Sequence, residues 1–390
     1  MNQQSWRPFI LVSLALCIGT IGTALASPLY PIYQEVWHLL PSHITFIFVA
    51  YMFGCLTTLL FLGRTSNTFG YVKVLQAGLF FVIVGLILSA IASNAYVLGV
   101  GRFIIGIASG LITTSAMIGL IHTTPDSHKH GAAQLSSIII SIGFGLGPFI
   151  GGIIAEFSAH PLVTPYIPII AGAMISFGAL FRLRSPAIQP EKLSLKPHLQ
   201  LPESQHKKFF YIASFTAFSG FAAFSLFASL SPSFIKDVVP WHGPLVSGIS
   251  IASILLISAI SQFIAKSMPM HKALNIGLLM LISSLIFLAL CMVLHWSPLF
   301  FISNILVGIG HGFGLLGAFA YIHKVTKLEN RAAVVSTYLF IAYLGTIVPI
   351  VTVGYLADHF GLDIGVIGFC LGIGALCLYL LISHLKLKDI

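Results

Sequence analysis

The chain has 390 residues, of which 57% are hydrophobic and only 7% charged, with a formal net charge of +9. A water-soluble domain carries about 25% charged residues, so this composition excludes one and requires an integral membrane protein. Nor does the basic excess mark a nucleic-acid surface, because all but Arg102 and Lys236 of the 19 Lys and Arg fall at the termini or in alternate gaps between apolar stretches.

Twelve stretches are long enough to cross a hydrocarbon core of about 30 Å as helices. They are predicted near 9–32, 44–62, 74–92, 96–121, 132–157, 164–183, 209–235, 245–265, 273–294, 298–322, 332–356 and 364–385. The first is read as a retained helix and not a signal peptide, since Ser5-Trp6-Arg7 leads into a long apolar run without a convincing cleavage site. One set of gaps holds Arg64 and Lys73, Lys129, the cluster from Arg182 to Lys208, Lys266 and Lys272, and Lys324 to Arg331. The opposite set holds only Lys236. Basic residues stay on the cytoplasmic side, which places both termini in the cytoplasm. All five cysteines, Cys17, Cys55, Cys291, Cys370 and Cys377, lie within spans and lack metal-type or redox-type spacing, so no metal site or cofactor is expected.

The expected fold is an all-α membrane protein of twelve transmembrane helices in two six-helix bundles related by a pseudo-two-fold axis. The polar stretch from Arg184 to Lys208, with its prolines and mixed charges, separates six spans from six. This gives an N-terminal bundle at 1–183, a cytoplasmic linker at 184–208 and a C-terminal bundle at 209–390. The halves echo each other. Ser27-Pro28 is matched by Ser231-Pro232, Arg102-x3-Gly106-x3-Gly110 by Asn304-x3-Gly308-x3-Gly312, and Pro148 by Pro349. Parallel repeats of this kind suggest a duplicated transporter with its site between the halves at mid-membrane.

The fifth span carries five glycines and a proline between Gly143 and Gly152. In water, interior glycine costs about 1 kcal/mol and interior proline about 3. Inside a bilayer neighbouring helices satisfy the carbonyl that Pro148 frees, and glycine lets backbones approach closely. Gly143, Gly147 and Gly151 form one thin stripe, while Gly145, Pro148 and Gly152 form another on roughly the opposite side.

These motifs resemble the major facilitator superfamily, and within it the twelve-span drug:proton antiporter group. Gly143, Gly147, Pro148, Gly151 and Gly152 meet the fifth-span pattern G-x-x-x-G-P-x-x-G-G in full. Ile21, Gly22, Pro28 and Pro31 meet a first-span pattern, and Arg102, Gly106 and Gly110 a fourth-span one. The loop signature G-x-L-A-D-R-x-G-R-K is altered: Gly63, Ser66, Gly70 and Lys73 fit, but Asn67 stands where the acid is expected and Thr68 where the arginine is. In relatives that acid helps latch the cytoplasmic side shut in the outward-facing state. The neutral Asn67 therefore predicts a weaker latch and a population shifted toward inward-facing.

Arg102 is the one charge well inside a span, about 9 Å below the outer end. A guanidinium there costs at least about 2.5 kcal/mol on insertion scales. It is either a tie to backbone carbonyls or part of substrate or proton coupling, and the resemblance implies coupling. No acid sits mid-span; Glu35, Glu156 and Asp358 lie at the outer ends of spans one, five and eleven, as solvated helix ends or as coupling groups. His311, flanked by Gly310 and Gly312, is either a proton carrier or a neutral histidine bonded to a neighbouring helix. Cavity candidates are Thr23, Ser27, Tyr51, Ser109, Thr113, Phe215, Phe218, Phe224, Gln262, Asn304, Tyr338 and Tyr343. Singly each is as compatible with packing as with a site; together they suggest an amphipathic cavity with little fixed charge.

The expected function is secondary active transport, exporting small drug-like organic molecules in exchange for protons by alternating access. An importer or facilitator of a nutrient such as a sugar, metabolite or siderophore is the alternative, with a non-transporting membrane receptor further behind. The chain carries no nucleotide loop, paired carboxylates or nucleophile triad, so an enzyme is not expected. The expected partners are a small-molecule substrate, protons and the lipid bilayer, with no nucleic acid. The resemblance implies a monomer in a bacterial inner membrane.

Overall fold

The computed structural model describes residues 6–125, 132–183, 192–197, 199–327 and 329–387, and all regular structure among them is helical. The helices are α1 (Arg7–Ala24), α2 (Tyr30–Trp37), α3 (Pro41–Thr57), α4 (Thr65–Phe69), α5 (Tyr71–Ala90), α6 (Ala95–Thr123), α7 (Ala132–Phe157) and α8 (Tyr166–Leu180). They continue with α9 (Lys207–Ser229), α10 (Ser231–Val238), α11 (Pro244–Ala265), α12 (Met270–Leu294), α13 (Ser297–Lys324), α14 (Arg331–Phe360) and α15 (Leu362–Leu385). Among the described residues, eleven helical stretches are long and apolar enough to cross a membrane, and α8 is a shorter apolar helix. The chain is an all-α, multi-pass membrane protein.

Two of the spans are composite. The first is α1, a 3-10 turn at Ser27–Leu29, and then α2. Pro28 lacks an N–H and cannot continue the ladder of α1, so the chain tightens there before helix resumes at Tyr30. In the second, α3 passes into a π-turn at Thr58–Leu62. By contrast α7 and α14 run continuously through Pro148 and Pro349.

Two compact units divide the chain: Met1–Leu29 with Ala50–Pro197, and Tyr30–Val49 with His198–Ile390. The boundaries fall between the 3-10 turn and α2, inside α3, and after Pro197.

In the first unit, α1 packs on α6, α7 and α8, and α5 packs on α6 and α8. Small residues set these seams. A Cβ built on Gly147 would stand 2.6 Å from the Ile21 carbonyl oxygen, and one on Gly151 would stand 2.5 Å from that of Leu25. One on Gly143 would collide with the Thr20 side chain. The stripe at 143, 147 and 151 therefore lies directly on the α1 backbone, at a separation that any side chain would forbid. Gly145, Pro148 and Gly152 are buried as well. Between α3 and α6, Gly54 and Gly106 stand opposite each other, and a Cβ on Gly106 would meet the Tyr51 carbonyl.

In the second unit, α13 packs on α9, α11 and α12, while α14 and α15 pack on α9 and α12 respectively. Gly308 and Gly312 rest on α11, beside Ile254 and Ile257 and beside Ser258 and Ser261. Ser284 of α12 and Ser303 of α13 exchange hydroxyl-to-carbonyl bonds of 2.9 and 2.8 Å, which satisfy two buried hydroxyls. At the start of α3, Asp358 accepts the Ser42 N–H at 3.0 Å, a carboxylate on a helix N-terminus. Gln200 and Glu203, before α9, are tied to the same unit. Gln200 N–H donates to Thr337 Oγ1 at 2.8 Å, Thr337 donates back to the Gln200 carbonyl at 2.9 Å, and Glu203 pairs with Lys327 at 2.5 Å.

The loop signature spans the π-turn and α4. Gly70 has φ +83° and ψ 149°, a conformation open to glycine, which lets α4 end and α5 begin without an intervening loop. Asn67 is exposed on α4, and Gly63 is exposed at the close of the π-turn.

Candidate functional site

Two polar clusters emerge, one in each unit. The first is built on Arg102, a buried side chain 1% exposed despite its permanent charge. Its Nη1 donates to the Thr23 carbonyl at 2.6 Å. Thr23 lies in the last turn of α1, where helical carbonyls lose their partners, so the guanidinium caps a carbonyl at the end of this helix. The guanidinium also lies over the Tyr51 ring, 4.8 Å from its centroid. Tyr51 in turn shares a 3.0 Å hydrogen bond with Ser109. Residues of α1, α3 and α6 thus meet around one cation. Arg102 Nε has no partner among the described residues, and no carboxylate there pairs with this side chain. A buried charge left without a counter-ion among the described residues is costly.

The second cluster is built on His311 of α13. Ser258 Oγ of α11 lies 2.8 Å from its Nδ1, and Gln262 Nε2 donates to the same hydroxyl at 3.3 Å. Phe221 stands edge-on to the imidazole at 5.5 Å between centroids, and Phe224 is tilted against it at 5.7 Å. Tyr343 of α14 closes on Phe221 at 5.7 Å. The side chain is 6% exposed, and its Nε2 has no partner among the described residues. The bond to Ser258 ties α13 to α11 at this point.

The remaining sequence candidates fall in and around these clusters. Thr23 and Ser27 are buried, and the Thr23 hydroxyl bonds back to the Thr20 carbonyl at 2.7 Å, leaving its own carbonyl for Arg102. Thr113 turns its hydroxyl to Ser109 O of the same helix at 2.8 Å. Phe215 and Phe218 pair with each other at 5.7 Å. Tyr338 is buried and packs on Phe319. Asn304 ties α13 to α11: its amide donates to Ser250 Oγ at 2.7 Å and Ser250 O at 3.2 Å, and its carbonyl accepts from Ser253 at 2.8 Å. Glu35 and Glu156 are exposed at helix ends, and Asp358 is the half-buried acid already placed on α3.

Phe221 and Ser258 are not among the sequence candidates. Phe221 sits in a run of every third residue, at 215, 218, 221 and 224, and Ser258 lies one turn before Gln262. Both spacings are available as signals. The cation seat at the Thr23 carbonyl is not, because it depends on where α1 ends.

Among the described residues no group of three His, Cys, Asp or Glu side chains is placed to hold a metal, and the cysteines are free thiols. Outside the spans, Glu203 pairs with Lys327, and the lysine holds the carboxyl below the usual carboxylate range.

The sequence model of the Major Facilitator Superfamily matches residues 12–350, and the chain belongs to that family. It is similar to the riboflavin transporter RibZ of Clostridioides difficile, 22% identical over 192 residues that make up 49% of this chain and 42% of that protein. It is 26% identical over 200 residues to multidrug resistance protein 2 of Bacillus subtilis, covering 51% of this chain and 48% of that one. The synaptic vesicular amine transporter of Rattus norvegicus is 29% identical over 205 residues, 48% of this chain and 37% of that protein. The match thus spans less than half the length of each of these curated relatives. Its fold is that of a bacterial homologue of the human lysosomal transporter Spinster, solved in an inward-facing and unoccupied conformation, with a TM-score of 0.76 at 13% identity over 99% of both chains.

Proposed function

We propose that the protein is a secondary active transporter that exports small organic molecules in exchange for protons by alternating access, in a bacterial inner membrane with both termini cytoplasmic. The observation that carries this reading is the buried guanidinium of Arg102, held within a span by a main-chain carbonyl and an aromatic face instead of a carboxylate. A residue needed only to hold helices together would not require a charge at such cost, and ionisable groups within spans mark transport pathways. Relatives named for multidrug resistance support export.

In this reading Arg102 fixes the charge of the loaded site, and Glu35, Glu156 and Asp358 are the acids available to receive protons at the outer helix ends. Coupling then requires that proton and substrate prefer opposite states, since proximity alone transmits nothing. The thin seam of α7 on α1 at Gly143, Gly147 and Gly151 lies within the first unit and supports a closely packed bundle there. A nutrient importer or facilitator is the second reading, favoured by the lack of a mid-span acid in the sequence.

The test is a panel of uncharged, anionic and cationic organic compounds screened in inverted vesicles, with and without an imposed pH gradient. Substrate-dependent proton release is the expected result. Uptake that ignores the gradient for every transported compound would overturn proton exchange and leave the facilitator reading.

A further inference from the structure

We infer that His311 and the rings around it form a binding site for a planar aromatic molecule that presents a hydrogen-bond acceptor and carries no net positive charge. The inference deepens the transport reading by naming the substrate class, and it rests on that reading only for the translocation of the bound molecule.

The chemistry comes from one chain of hydrogen bonds. Gln262 Nε2 can only donate, and it donates to Ser258 Oγ. The serine hydroxyl is then placed to donate its own proton to His311 Nδ1 at 2.8 Å, and this is the direction the inference takes. A neutral imidazole that accepts at Nδ1 carries its proton on Nε2. Nε2 is therefore an N–H donor, and it is the atom that lacks a partner among the described residues. Unpaired donors buried this deeply are rare in folded proteins, so the group points to a ligand. Such a donor would accept into the site a carbonyl, a ring nitrogen or an anionic oxygen.

The surroundings select flat, aromatic ligands. Phe221, Phe224 and Tyr343 are half-buried and offer ring faces and edges beside the imidazole. Edge-to-face packing on such rings is available to any planar π-system. At Gly220 a Cβ would stand 3.6 Å from His311 Cδ2, so the glycine leaves that flank of the imidazole bare.

Charge decides against a cation. The five helices that meet here or pack on α13 are α9, α11, α12, α13 and α14, and their one carboxylate is Asp358. It lies about 22 Å along α14 from Tyr343. The cations of the same helices, Lys207, Lys208, Lys272, Lys324 and Arg331, also sit at helix ends. Among these five helices a positively charged ligand would meet an N–H donor and no nearby counter-ion.

The experiment uses the full chain in lipid nanodiscs without a gradient and three probes of matched shape: quinoline, naphthalene and N-methylquinolinium. Affinities are measured by calorimetry at pH 7.5, where quinoline is uncharged. Quinoline is expected to bind about tenfold tighter than naphthalene, which lacks the acceptor, and tighter still than the methylated cation. In His311→Phe the quinoline preference over naphthalene should vanish. In Ser258→Ala, which keeps the ring but releases its tautomer, the preference should fall severalfold. Size-exclusion profiles establish that each variant is folded, and Ser258→Ala carries the test if His311→Phe is not. Tighter binding of N-methylquinolinium than of quinoline, or an unchanged preference in a folded variant, would overturn the inference. Binding as expected with no export in vesicles would instead overturn the transport reading and leave this site standing.

Discussion

The seam between α3 and α6 and the seam between α11 and α13 are built alike and equipped differently. In each, two glycines four residues apart let the later helix approach the earlier span closely: Gly106 on the Tyr51 carbonyl and Gly110 on the Thr58 side chain, Gly308 and Gly312 on the Ile254 and Ser258 carbonyls. One turn before the first glycine stands a polar residue, Arg102 in one seam and Asn304 in the other. Asn304 makes three hydrogen bonds within its helix pair, which a neutral amide does without leaving a charge in the membrane. Arg102 reaches instead to a third helix and keeps a spare donor. The two seams share close packing but not charge. Packing is thus assigned to what the seams share, and coupling to what they do not.

The largest expected effect comes from breaking what they share. In Gly106→Val, the new side chain would drive into the Tyr51 carbonyl, and overpacking of this kind costs about 1–3 kcal/mol or more. Thermal unfolding in detergent should fall clearly, or the protein should fail to accumulate. Gly99→Ala in the same helix, where a Cβ meets nothing within 4 Å, should match wild type. Equal behaviour of the two variants would dissolve the seam. Next comes Asn304→Ala, which removes three hydrogen bonds and leaves the Ser250 hydroxyl without its donor, while Ser253 keeps the Ser250 carbonyl, at a cost of about 1–3 kcal/mol. Its unfolding midpoint should drop while gradient-dependent transport survives. Loss of transport with an unchanged midpoint would reverse the roles given to the two seams.

The smallest effect belongs to Glu203→Gln, away from both seams. Because Lys327 depresses the Glu203 carboxyl in the folded protein, the pair stabilises above the ordinary carboxylate range and that contribution disappears as pH falls through the lowered value. Both side chains are solvent-exposed, so the difference between variant and wild type should be barely measurable at pH 7 and absent in high salt or acid. A large loss at neutral pH would mean that the ion pair anchors the linker-side segment far more strongly than an exposed pair does.

Much of this was legible in the chain. Hydropathy located the spans, and the family pattern anticipated the helical fold, because a bilayer forces backbone polar groups into helices whatever the details. The repeat of Arg102-x3-Gly106-x3-Gly110 by Asn304-x3-Gly308-x3-Gly312 was visible as spacing, and the structure supplies its meaning as two seams. The sixth span was predicted at 164–183 and is a 15-residue helix, since Pro165 delays its start and Phe181 caps its end. The polar partners were less legible. Hydrogen bonds between α11 and α13 join residues more than 50 positions apart, and no local pattern announces that Ser258 will meet His311 or that Arg102 will find the Thr23 carbonyl. Those meetings depend on helix packing and on the break at Pro28, which become visible only in three dimensions.

The separation of packing from coupling is tested most directly by Arg102→Asn, which gives the first seam the residue of the second. Asparagine retains a hydrogen-bonding amide but no charge, so the variant should remain folded and close to wild type in thermal stability. Proton-gradient-dependent transport in vesicles should fall to background. Transport at the wild-type rate in the folded variant would contradict the account and return Arg102 to the role of a tie between helices.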